Sequence, residues 1–66
     1  MYILERSGVR FDEKFYTGYK QHVGALWGTA RKAQIYSSKD EAQAASERIE
    51  DMDGIYTRVS DRSDFI

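Results

Sequence analysis

The chain has 66 residues, no cysteine, no proline and a formal net charge of −1. This is one small domain, near the lower size limit for an unaided core, with no disulfide and no thiolate zinc site to staple it. So small a net charge argues against non-specific binding to duplex DNA, and no apolar run approaches the roughly 20 residues a membrane-crossing helix needs.

Small domains without staples commonly gain burial by self-association, so a homo-oligomer is expected, most simply a dimer. The opening Met1-Tyr2-Ile3-Leu4-Glu5-Arg6 lacks the basic flank and long apolar stretch of a signal peptide. Together with the missing cysteine, this makes the cytoplasm the expected location.

In chain order, the first strand is expected from Tyr2 to Arg6, ended by the Ser7-Gly8 turn signal. Val9-Arg10-Phe11 either extends that strand or opens the next arm. A second strand runs from Lys14 to Tyr19 and a third from about Lys32 to Tyr36. Between them lie about twelve residues, Lys20 to Arg31, long for a hairpin connection of two to five. Such a stretch is either functional or hides structure of its own.

The helix has the clearest signals. Ser38-Lys39-Asp40-Glu41 is a capping box, and Ala42, Ala45, Ile49 and Met52 follow as a narrow apolar stripe. Asp53-Gly54 is the stop, the glycine suited to a left-handed cap. A last strand is expected from Ile55 to Val59, then a polar, frayed tail from Ser60 to Asp64 whose Phe65-Ile66 could dock onto a neighbour. The order is β-β-β-α-β. The fold class is α+β, a small antiparallel sheet with one helix packed on one face, and residues 1–66 form a single domain.

Alternation assigns side chains to faces. Phe15, Thr17 and Tyr19 go to one face and Tyr16 to the other. Ala33 and Ile35 oppose Tyr36, while Ile55, Thr57 and Val59 oppose Tyr56 and Arg58. One helix covers one face, so the tyrosine-bearing face needs water, a second subunit or a ligand. That pattern describes a binding protein.

The passages Lys14-Phe15-Tyr16-Thr17-Gly18, Trp27-Gly28 and Ala33-Gln34-Ile35-Tyr36-Ser37-Ser38-Lys39-Asp40-Glu41-Ala42 carry a resemblance. Over about residues 14–50 the chain resembles small accessory proteins of tailed phages and prophages. Those show a strand hairpin, a tryptophan and an A-x-x-Y-x-S-x-x-E-A passage from strand into helix. The resemblance implies a class, non-catalytic binders that block a host enzyme or sequester a defence signal, and no residue-level role.

Catalysis is poorly supplied. His22 is the only histidine, there is no cysteine, and no Gly-x-Ser-x-Gly elbow occurs. Gly24 to Lys32 lacks the spacing of a P-loop, yet its glycine amides with Lys20, Arg31 and Lys32 could form a looser anion site. Trp27 is either a plug for the open end of the core or a stacking platform. Asp51-Met52-Asp53-Gly54 lacks the remaining ligands of a calcium loop, so no metal and no cofactor is expected.

Charge is uneven. Residues 1–36 carry six Lys/Arg against three acids, a net +3; residues 37–66 carry four against eight, a net −4. Glu47, Glu50, Asp51 and Asp53 crowd the helix end, where the macrodipole favours cations and where Arg48 could face Asp51. This acidic patch could meet a basic partner. The expected function is stoichiometric binding and inhibition of a host protein. The alternative is sequestration of a phosphorylated nucleotide, with a nucleic-acid module behind both. The candidate binding residues are Tyr16, Tyr19, Lys20, His22, Trp27, Arg31, Lys32, Tyr36 and Tyr56, with no catalytic residue.

Overall fold

The computed structural model describes residues 1–66. Four strands, β1 (Tyr2–Glu5), β2 (Phe15–Lys20), β3 (Gly24–Gly28) and β4 (Arg58–Asp61), form one antiparallel sheet of order β3-β2-β1-β4. One helix, α1 (Lys39–Asp53), packs on one face, as the α+β reading expects. Short 3₁₀ turns occupy Phe11–Glu13, Ala30–Lys32 and Arg62–Asp64. The helix is too short and too polar to cross a membrane.

The long connection after β2 hides structure of its own. Gln21, His22 and Val23 form a tight turn, with the Val23 N–H donating to the Lys20 carbonyl at 3.0 Å. His22 takes a left-handed conformation there, φ 69°, which histidine tolerates better than most side chains. The chain then returns as β3, so the third strand is Gly24–Gly28 and not Lys32–Tyr36. Val9-Arg10-Phe11 joins neither arm, because the chain turns at Ser7 to Val9 and enters the first 3₁₀ turn.

Residues 33–36 are extended, but they wedge between two strands instead of forming one. β1 and β2 are paired at Glu5 and Phe15 and share an Arg6 N–H to Lys14 carbonyl bond of 3.0 Å. Into the gap beyond that pairing, Gln34 donates to the Tyr16 carbonyl at 2.8 Å, while Tyr36 and Tyr2 exchange two bonds of 2.8 and 2.9 Å. Backbone groups left open by the divergence are satisfied this way.

Helix α1 starts and stops as the sequence dictates. The Ser38 hydroxyl accepts from the Glu41 amide at 3.1 Å, and Gly54 caps the other end at φ 69°. The reciprocal half of the capping box is replaced, since the Glu41 carboxylate accepts from the Ser37 hydroxyl at 3.1 Å. Ala42, Ala45, Ser46 and Ile49 are buried, whereas Met52 is exposed. Ser46 is tolerable on the buried stripe because its hydroxyl bonds Thr57, at 2.6 Å to the hydroxyl and 3.1 Å to the carbonyl.

The helix lies on the tyrosine face, which corrects the expectation that this face stays uncovered. Leu4, Ala42, Ala45 and Ile49 form the centre of the helix-side core, with Tyr2, Tyr16, Trp27, Tyr36, Ile55 and Val59 packed around them. The opposite face holds Ile3, Phe15, Ala30 and Ala33, closed by Phe65. Phe65 is therefore a lid on this half of the core, while Ile66 beyond it stays exposed. The chain from Ser60 continues β4 and then turns, so the tail is ordered. β4 itself runs Arg58–Asp61, three residues later than the expected start, and begins opposite Glu5, where its partner β1 ends.

Tyr19 also changes face. Tyr16 stands opposite Trp27 and Gly18 opposite Leu26, so Thr17 is the extra residue of a β-bulge. An inserted residue reverses the alternation beyond it. Tyr19, opposite Ala25, thereby joins Tyr16 and Trp27 on the helix side.

Candidate functional site

Those two departures, the helix on the tyrosine face and the bulge, together build a cavity of about 220 Å³. β2 supplies Tyr16 and Tyr19, the wedge segment supplies Tyr36, and α1 supplies Ala45, Arg48, Ile49, Met52 and Asp53. The helical residues fall three and four apart, so all lie on one side of α1. Ala45 and Ile49 are buried, while Tyr19 and Met52, at 50% and 54% exposure, stand at the open rim.

The polar equipment is small and, apart from Asp53, uncommitted. No side-chain hydrogen bond of the chain uses the hydroxyl of Tyr16, Tyr19 or Tyr36. Arg48 makes no ion pair, so the expected approach to Asp51 is not made and its guanidinium faces the tyrosines instead. Asp53 is committed: its Oδ2 accepts the Ala25 N–H at 2.7 Å, tying the end of α1 to β3. This carboxylate of the acidic helix end is thus an internal strut.

Burial pushes the Tyr16 phenol above its ordinary value; Arg48 opposes the shift, and Asp53 and Tyr19 add to it. Burial does the same to Tyr36, with Tyr16 adding and Arg48 opposing. Both phenols are therefore neutral donors at physiological pH. The native state holds these protons above pH about 10, where the unfolded chain releases them. Their contribution to stability is complete below that pH and is lost as pH rises through the raised native values. Alkaline denaturation followed by circular dichroism should show this loss, and Tyr36→Phe should reduce it.

Of the candidate residues, Tyr16, Tyr19 and Tyr36 converge here and the others do not. Trp27 packs edge-on against Tyr16, ring centroids 5.8 Å apart at 71°, with the Arg6 guanidinium 4.3 Å over it. It is a half-buried plug with a cation as its outer layer, and it does not line the cavity. Lys20 and His22 are at the β2–β3 turn. Arg31 and Lys32 lie exposed in the 3₁₀ turn after β3. Gly24 and Gly28 are strand positions, so the phosphate cradle expected from Lys20 to Lys32 is not assembled. Tyr56, 76% exposed, lines a separate cleft with Arg58 on the helix-free face. Sequence reasoning missed Arg48, Met52 and Asp53 as cavity walls, although their helical spacing with Ala45 and Ile49 carried the signal.

Comparison with family models, with curated proteins and with solved structures returned no match. No group of three or more His, Cys, Asp or Glu side chains is placed to hold a metal ion.

Proposed function

We propose that this chain is a non-enzymatic binding protein that inhibits a partner protein by stoichiometric engagement. The helix-side cavity would receive one apolar anchor of that partner. The observation behind this reading is the convergence of Tyr16, Tyr19 and Tyr36 with Met52 and Arg48 around about 220 Å³. Small-molecule sites usually occupy roughly 300–1,000 Å³, so this space suits a single side chain better than a whole metabolite. Tyrosine and arginine dominate binding hot spots, and unpaired hydroxyls at the wall can take up the backbone groups flanking an anchor. The +3 and −4 halves of the chain would orient the approach. The resemblance to phage accessory proteins makes a host protein, and a defence protein first, the partner to test.

Two rim variants test it, Tyr19→Ser and Arg48→Glu, chosen because neither residue is buried. Both should melt like the parent chain yet bind the captured host protein at least about tenfold more weakly, the usual scale of a hot spot. A native mass should give a fixed ratio of chain to partner. Undiminished binding by both variants would refute the reading. The native mass of the free chain shows whether a second copy covers the cavity beforehand, as the expected dimer would.

A further inference from the structure

We infer that the cleft on the helix-free side of the sheet binds the phosphate of a nucleotide, with Tyr56 stacking on the base. This cleft of about 360 Å³ is lined by Glu5, Arg6, Ser7, Lys14, Tyr56 and Arg58. It is separate from the tyrosine cavity, sharing no lining residue with it. Its volume falls within the range of small-molecule sites.

The floor is Glu5, a carboxylate only 7% exposed on β1. Arg58 is its cross-strand neighbour on β4 and Lys14 immediately precedes its partner on β2. Arg58 NH2 lies 3.3 Å and Lys14 Nζ 3.5 Å from Oε1, while the Ser60 hydroxyl donates to Oε2 at 2.7 Å. One carboxylate cannot neutralise two cations, and a third cationic residue, Arg6, lines the edge of the same cleft. Arg6 is fixed by two bonds to the Glu13 carbonyl, 3.0 and 3.1 Å, and by the Trp27 ring. A carbonyl and a ring leave its charge uncancelled. Three cations against one acid give the cleft a net +2.

A phosphate monoester carries about −1.5 to −2 at neutral pH, which matches that excess; a carboxylate would leave half of it unanswered. Lys14 and Arg58 are drawn side by side by their shared contact with Glu5 Oε1, and Arg6 is held at the edge of the cleft by the Glu13 carbonyl. Tyr56 has no aromatic or hydrogen-bond partner within the chain, and its exposed ring forms part of the same wall. A phosphate with a planar base attached uses both features. Glu5 then has two functions: it braces the cations and limits how tightly an anion can bind.

Calorimetry on the full chain tests this with adenosine 5′-monophosphate, adenosine and inorganic phosphate. The monophosphate should bind saturably and more tightly than either fragment. Arg58→Ala should weaken it tenfold or more. Tyr56→Ala should weaken it at least about fivefold while leaving inorganic phosphate unchanged. Glu5→Gln should bind it more tightly, a gain of affinity that loss of structure cannot imitate. If Glu5→Gln fails to fold, the two exposed-residue variants decide the matter. No saturable binding of the monophosphate, or binding indifferent to both Arg58→Ala and Tyr56→Ala, overturns the proposal. Tyr19→Ser should leave these heats unchanged, so failure here is separable from failure of the protein-binding reading.

Discussion

Phe15→Ala is expected to remove the cooperative unfolding transition or to lower its midpoint by roughly 12–40 °C. Phe15 is fully buried, and it stacks edge-on with Phe11 and Phe65 at 5.3 and 4.9 Å between centroids. Its truncation leaves a cavity flanked by Ile3, Ala30 and Ala33. Phe→Ala in such a site costs about 3–5 kcal/mol, and each kcal/mol shifts the midpoint of a domain this size by about 4–8 °C. A chain of this length has only roughly 3–10 kcal/mol of stability in total. Phe11→Ala is the control, because Phe11 is 59% exposed and contributes to the same cluster from its rim. Thermal denaturation by circular dichroism measures both. If Phe15→Ala melts like the parent chain, the helix-free face is not the second half of the core.

That second half is where the sequence was least legible. The signals for α1 are local: Ser38 and Gly54 mark its ends through hydrogen bonds and backbone conformation that neighbouring residues determine. β1 was legible as a short apolar run closed by the Ser7-Gly8 turn signal, and the first half of β2 from alternation. β3 was not, because Gly24 and Gly28 bracket it and glycine depresses any strand signal. Its short apolar run, Ala25-Leu26-Trp27, was the clue available. The bulge at Thr17 had one local mark, Gly18 inside the strand pattern, but its position is set by the register of β2 against β3, and it decides where Tyr19 points. The coverage of the second face was illegible because irregular segments cover it. Phe11, Ala30 and Phe65 come from turns that alternation does not describe. For the candidate site, the two half-buried tyrosines were legible as a face, Tyr19 was placed on the wrong one, and the helical wall was read as core and charge alone. The cleft of Glu5, Lys14 and Arg58 joins residues from distant parts of the chain, so spacing could not disclose it.

Gly24→Ala is expected to be the most damaging change outside the apolar core, and to be strongly coupled to Asp53. Gly24 opens β3 at φ 101°, a conformation that side-chain-bearing residues rarely adopt. A methyl group there would also meet the Asp53 carboxylate, 3.1 Å from Oδ2. That oxygen cannot move away freely, because it accepts the Ala25 N–H at 2.7 Å. The backbone strain is worth about 1–3 kcal/mol and a hydrogen bond to a charged group about 1.5–3 kcal/mol. The single variant incurs the first and weakens the second. Asp53→Ala loses the bond alone and Asp53→Asn, which keeps an acceptor, loses less. In the Asp53→Ala background the added methyl finds no carboxylate, so Gly24→Ala should cost only its backbone share. A double-mutant cycle in urea should therefore be non-additive by about 0.5–3 kcal/mol. Additive costs would mean that α1 and the β3 hairpin are not braced through this contact. The brace matters beyond stability, since Asp53 holds the end of the helix that carries Arg48 and Met52 beside β2, and these are the walls of the tyrosine cavity. Gly24→Ala, which lies outside the cavity lining, should therefore weaken partner binding without touching any residue that meets the partner.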